Sequence, residues 1–139
     1  MPRLALPLPT TGARPTVVLV DDDAALRMAL TFTLELDGFV VQSYASGEEL
    51  LEGVLPLPPA CLVLDQHLTG MTGIEAMEAL RARAVLLPAL LITSHPRASV
   101  RDAASALGVI IVEKPLLTDA LRQAIQQALA TTKPSPLSL

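Results

Sequence analysis

Four short apolar runs in this chain each stop at residues able to do chemistry. Val17-Val18-Leu19-Val20 leads into Asp21-Asp22-Asp23, and Cys61-Leu62-Val63-Leu64 into Asp65. A third run, from Ala89, ends in Thr93-Ser94-His95, and Val109 to Val112 leads into Glu113-Lys114-Pro115. Brought together, these residues would make an acidic cluster flanked by a hydroxyl and an ammonium. Two carboxylates about 4 Å apart repel by about 4 kcal/mol at an effective dielectric of about 20. Such a cluster persists only if a cation neutralises it or one carboxyl takes up a proton. Hard oxygen ligands with open positions suit Mg2+, which keeps several waters and bridges to a phosphate. Lys114 adds a point charge for an anion, and Thr93 adds a hydroxyl donor. Taken singly, each aspartate reads equally well as the cap of a following helix, and a lysine before proline as a solvated loop residue. The joint pattern on four separate runs is what points to a site.

The elements that must position these residues alternate between strand and helix. After the first strand, Ala24 to Asp37 has a helical pattern closed by Gly38. Phe39 to Tyr44 reads as a second strand, and Ser46-Gly47-Glu48-Glu49 has the capping-box spacing of a short helix reaching about Val54. The third strand follows three prolines between Leu55 and Ala60. A second capping box, Thr72-Gly73-Ile74-Glu75, opens a helix to about Arg83. Strand four covers Ala89 to Thr93, helix four Ala98 to Leu107, strand five Val109 to Val112 and helix five Thr118 to Ala130. Continuous apolar strands imply burial on both faces, as in a parallel sheet between helices. Right-handed crossovers then give a doubly wound α/β fold, whose ligand chemistry collects at the carboxyl ends of the strands.

Composition narrows the function classes. At 139 residues, about half of them apolar, the chain fits one domain with its own core, built without Trp and with one Tyr and two Phe. Ten basic against fourteen acidic residues give a net charge of −4, which argues against nucleic-acid binding by the chain itself. Its apolar runs fall far short of the ~20 residues that span a bilayer. Pro2, Pro7, Pro9 and Pro15 would interrupt a signal peptide, and the single Cys61 fits a reducing compartment. A cytoplasmic domain over residues 16–131 is expected, with a Pro-rich tail at 1–15 and a second tail at 132–139.

The motifs VVLVDDD, LVLDQHLTGMTGIEAM, LLITSHP and VEKP, in this order and spacing, resemble the receiver domain of two-component response regulators. The stretch LRMALTFTLELDGFVVQSYASGEELL is similar to the FixJ-type subgroup, whose full-length members carry a helix-turn-helix output. The resemblance implies a flavodoxin-like (βα)5 sandwich with strand order 2-1-3-4-5. It implies that Asp65 is the phosphoacceptor, phosphorylated by a sensor histidine kinase or phosphotransfer protein. Asp22 would bind Mg2+ directly and Asp21 through water, with Asp65 and the backbone carbonyl of His67 as further ligands. Lys114, turned into the site by a cis Lys114–Pro115 bond, would pair with the phosphoryl group, and Thr93 would swing to hydrogen-bond it. The signalling face would be helix four, strand five and helix five, supporting phosphorylation-enhanced homodimerisation or partner binding. That face would combine Ile110 and Ile111 with Ala103 or Ala104, flanked by Arg97, Arg101, Asp102 and Arg122.

Departures from the family pattern fall at defined places. Ile111 stands where the family has an aromatic that turns inward on activation, and Thr69 where it usually has proline. Both histidines, His67 and His95, fall beside the site, where the family tunes phosphoryl lifetime; the alternatives are solvated loop residues or a zinc site. Two rival readings use the same chain. A haloacid-dehalogenase-type aspartyl phosphatase would use Asp21 as nucleophile but leave Asp65 without a role, and a pseudo-receiver would bind partners without phosphorylation. With nine residues after Ala130, the chain reads as a stand-alone receiver or an excised receiver half.

Overall fold

The computed structural model describes residues 14–116 and 119–131. Five strands alternate with five helices among them: β1 (Thr16–Val20), α1 (Ala24–Leu36), β2 (Val40–Tyr44), α2 (Gly47–Glu52), β3 (Ala60–Asp65), α3 (Gly73–Ala82), β4 (Ala89–Thr93), α4 (Ala98–Leu107), β5 (Ile110–Glu113) and α5 (Ala120–Thr131). All strand pairs are parallel, in the order β2-β1-β3-β4-β5. This is the flavodoxin-like arrangement that the resemblance implies.

Alternation along the buried strands separates two cores. Val18, Val20, Leu62, Leu64 and Leu91 meet Leu50 of α2, Ile74, Met77 and Leu80 of α3 and Ala104 of α4. Val17, Leu19, Cys61, Val63, Leu90 and Ile92 meet Leu34 of α1 and Leu121, Ile125 and Ala128 of α5. Strands β1, β3 and β4 are buried almost throughout, whereas the edge strands β2 and β5 are half-exposed. Continuous burial therefore holds for the three central strands only. Of Ala103 and Ala104, the alternatives expected on the signalling face, Ala104 lies in the core because its side of α4 packs on the sheet, and Ala103 is half-buried against that core.

The helix boundaries follow from local chemistry. Asp23 accepts the Leu26 N–H at 3.1 Å and starts α1. Helix α1 stops one residue earlier than its pattern suggests, at Leu36, with Asp37 as its cap and Gly38 beyond it at φ +98°, a conformation that suits glycine. Both halves of the Thr72/Glu75 capping box are formed. In the Ser46 box only the forward bond is as expected: Glu49 reaches back to the Ala45 N–H, 2.9 Å away, and not to that of Ser46. Strand β5 begins at Ile110, one residue later than expected, because the Val109 N–H is taken by the Ala104 carbonyl in closing α4. Pro15, expected in the tail, already contributes its carbonyl to Val40 of β2. Tail residues 1–13 and 132–139, and the expected start of α5 at Thr118, lie outside the described residues.

Gly73, the first residue of α3, lies against the carbonyl end of β3. A Cβ there would come within 2.6 Å of the Asp65 carbonyl oxygen and of Leu91 Cδ1. Alanine favours a helix interior by about 1 kcal/mol over glycine, but a clash with fixed backbone costs about 1–3 kcal/mol. Gly73→Ala is therefore expected to destabilise the domain by up to about 2 kcal/mol, seen in urea titration as a lower midpoint at unchanged slope.

Candidate functional site

The register of the sheet builds the site. Val20 pairs with Leu64, so Asp21 and Asp65 stand side by side on neighbouring strands, which run about 4.8 Å apart. Asp65 itself pairs with Ile92, which places Thr93 one step beyond, and Thr93 pairs with Glu113, directly before Lys114. Residues 93 positions apart in sequence thereby share one edge of the sheet.

Each acid is held in a particular way. Asp21, buried, accepts the Asp23 N–H on Oδ1 at 2.9 Å, while the Arg27 guanidinium donates to its backbone carbonyl at 2.6 Å. Asp22 is exposed, and its Oδ2 accepts both the N–H and the hydroxyl of Thr69, at 3.0 and 2.8 Å. Asp65, also buried, accepts the His67 N–H on Oδ1 at 2.9 Å and the Lys114 ammonium on Oδ2 at 3.3 Å. Oxygens of Asp21, Asp22 and Asp65 all lie within 4.8 Å of one another. Asp23, the third residue of the acidic run, serves as the cap of α1. The buried Gln66 fixes the loop after Asp65, taking the Gly73 N–H on its carbonyl and the Ile74 N–H on Oε1.

Of the residues singled out in the sequence, Asp21, Asp22, Asp65 and Lys114 converge directly. Thr93 is buried beside them, and its hydroxyl lies 3.3 Å from His67 Nε2. The Lys114–Pro115 bond is cis, as the resemblance implies, and so is Pro58–Pro59. His95 is exposed, at φ +45°. Together with His67, Thr93, Arg97 and Ser99 it borders a cavity of about 320 Å3. Cys61 is core: burial pushes its thiol up to about 12, which keeps it protonated and unreactive.

Two contributors escaped the sequence reading, Thr69 and Gln66. Thr69 registered there only as a missing proline. A proline could not donate the N–H that Asp22 receives, so the replacement adds two donors to one carboxylate oxygen.

The donor set suits a hard divalent cation: three carboxylates face one ammonium, and every oxygen is a strong, hard ligand. Desolvation raises the Asp21 pKa above the ordinary carboxylate value, with the charges of Asp65 and Asp22 adding and the Asp23 N–H and Lys114 opposing. The Thr69 hydroxyl, helped by its N–H, lowers that of Asp22.

A model of the response regulator receiver domain matches residues 17–126. The chain is 31% identical over 123 residues to the transcriptional regulatory protein FixJ of Bradyrhizobium diazoefficiens, a match covering 88% of this chain and 60% of that protein. It is 35% identical over 118 residues to the C4-dicarboxylate transport transcriptional regulatory protein DctD of Rhizobium meliloti, covering 84% of this chain and 26% of that one. The solved structure of FixJ-N superposes with a TM-score of 0.77 at 27% identity, covering 88% of this chain and 99% of that one. The chain thus spans about 60% of FixJ and about a quarter of DctD.

The raised Asp21 pKa has a consequence for stability. Folding raises it, so the ionised group opposes folding at neutral pH; the penalty fades as pH falls through the folded pKa and is gone below the unfolded value, about 3.9. Asp21→Asn is expected to raise the melting temperature of the metal-free domain at pH 7 by about 2–5 °C. Calorimetry should show the gain shrinking as pH falls through the folded pKa of Asp21.

Proposed function

This chain belongs to the response regulator receiver family, whose members signal by interacting with histidine kinases, and on that premise we propose that Asp65 accepts a phosphoryl group from a phosphohistidine donor. The observation that carries the reading is the state of the Asp65 carboxylate. It is buried at a central strand end, with Oδ1 fixed by the His67 N–H, Oδ2 facing Lys114, and two further carboxylates within ligand distance. The phosphatase alternative gives no role to the one residue on which these contacts converge.

In the proposed transfer an Asp65 oxygen forms the bond to phosphorus as the bond to the donor's imidazole nitrogen breaks. Charge on the equatorial oxygens is met by groups already in place, which is how phosphoryl transfer is mostly catalysed. Lys114 supplies one such charge and Thr93 a hydroxyl. Asp21, Asp22, Asp65 and the backbone carbonyl of His67 would hold Mg2+, which when bound neutralises the carboxylates and the incoming phosphoryl oxygens. The chain's own work is to aim Asp65, through the His67 N–H, and to keep Asp22 extended into the site through Thr69.

Output would pass through α4, β5 and α5, to a second copy or a partner. On this face Ile110 is exposed, Ile111 is half-buried against the core, and Arg101 of α4 pairs with Glu113 of β5 at 3.0 Å. With aliphatic packing in place of a turning aromatic, the difference between the two states is small, and a modest phosphorylation-enhanced association is the expected outcome. A cytoplasmic location fits the family, and no helix among the described residues is long and apolar enough to cross a membrane.

Acetyl phosphate with Mg2+ is expected to add one phosphoryl group, located at Asp65 by mass spectrometry and absent in Asp65→Asn. Equal modification of that variant would reject the assignment, and modification at Asp21 with phosphomonoester turnover would favour the phosphatase. Mg2+ alone should raise the melting temperature, by the equivalent of about 2.7 kcal/mol at a hundredfold excess over Kd, and Asp22→Ala should abolish the rise. An intact domain indifferent both to Mg2+ and to acetyl phosphate would be a pseudo-receiver.

A further inference from the structure

One side chain touches both halves of the proposed reaction. His67 gives its backbone N–H to Asp65 Oδ1 at 2.9 Å, while its ring nitrogen Nε2 lies 3.3 Å from the hydroxyl of Thr93. Thr93 is 1% exposed, so solvent offers its hydroxyl little competition, and among the described residues the His67 ring is the partner it has. The ring itself belongs to an exposed residue on the loop after β3. Next to it lies the cavity of about 320 Å3 bordered also by His95, Arg97 and Ser99. The ring thus has space to turn into, while Thr93, which borders the same cavity, is itself almost fully buried.

A threonine hydroxyl has one proton to donate. If the neutral ring accepts it, the hydroxyl cannot at the same time donate to a phosphoryl oxygen on Asp65. We propose that His67 is a positioning residue that holds the Thr93 hydroxyl away from the phosphoacceptor, so that phosphorylation must exchange the His67–Thr93 hydrogen bond for a Thr93–phosphoryl one. The inference rests on the phosphoacceptor reading of Asp65. It makes the His67 ring a brake on the activated state, acting on the equilibrium between two positions of Thr93. A phosphoryl group shifts that equilibrium by its differential affinity for the two positions, less what the ring contact contributes to the resting one.

The test is calorimetric titration of the whole chain with beryllofluoride, a phosphoryl mimic, at saturating Mg2+. An equilibrium measurement excludes any effect of the ring on the water that hydrolyses an acyl phosphate. His67→Ala keeps the backbone N–H and carbonyl and removes the ring, and its fold is checked by circular dichroism. A net hydrogen bond of ordinary strength makes the expected gain in affinity about three- to tenfold. His67→Gln, which can offer a side-chain acceptor, should return affinity toward that of the parent. In a Thr93→Ala background, His67→Ala should change nothing, because the hydroxyl it acts on is gone; a purely structural role of His67 would persist there. In the unligated His67→Ala chain, the Thr93 methyl resonance should shift toward its beryllofluoride-bound position. Unchanged or weaker binding by His67→Ala, or the same gain in the Thr93→Ala background, would overturn the brake while leaving the phosphoacceptor reading intact. A parent chain that binds no beryllofluoride would overturn both.

Discussion

Three carboxylates are forced together by the register of a parallel sheet, and the rest of the site is organised around that repulsion. Because Val20 pairs with Leu64, Asp21 and Asp65 leave adjacent strands at the same height, and Asp22 follows by one residue. No local rearrangement separates them without shifting β1 against β3, which would turn every buried side chain of a strand to the wrong face. The neighbours are accordingly donors: the Asp23 N–H, the two groups of Thr69, the His67 N–H and the Lys114 ammonium. Each acid receives at least one, and the remaining negative charge is what makes the edge of the sheet receptive to a cation.

The hydrophobic cores serve this arrangement by fixing the strands, not by shaping the site. Two separate cores clamp β1, β3 and β4 from either side, so the three strand ends that carry Asp21, Asp65 and Thr93 are rigid. The loop beyond β3 is tied down by specific bonds, Gln66 to the first residues of α3 and Glu48 to the Met71 N–H, while at the opposite edge of the sheet Arg81 donates to the carbonyls of Leu107, Val85 and Leu87. A rigid base with tethered loops is the arrangement that lets small groups be placed to within a fraction of an ångström.

Much of this was legible in the residues. Strand four and helix four match their expected limits, and the Thr72/Glu75 box opens α3, because apolar period and cap chemistry agree at those places. The converging acids, the threonine and the lysine could be read because parallel strands deliver their carboxyl ends to one edge. What could not be read depended on partners distant in sequence. Thr69 gains its role only from Asp22, 47 residues away, and Ala104 is core only because of how α4 packs on the sheet. The one-residue start of β5 was set by the Ala104 carbonyl taking the Val109 N–H, a choice invisible to a count of apolar residues.

Lys114 differs from the acids in where it is anchored. They extend from buried central strands or the turn beside them, whereas it follows β5, a four-residue edge strand paired on one side only. Edge strands of this kind are where local opening is least costly. If β5 frays, the ammonium departs and leaves the carboxylates facing one another unneutralised, so the acid cluster resists that opening. The charge that prepares the edge for chemistry thereby acts as a fastener on a short edge strand.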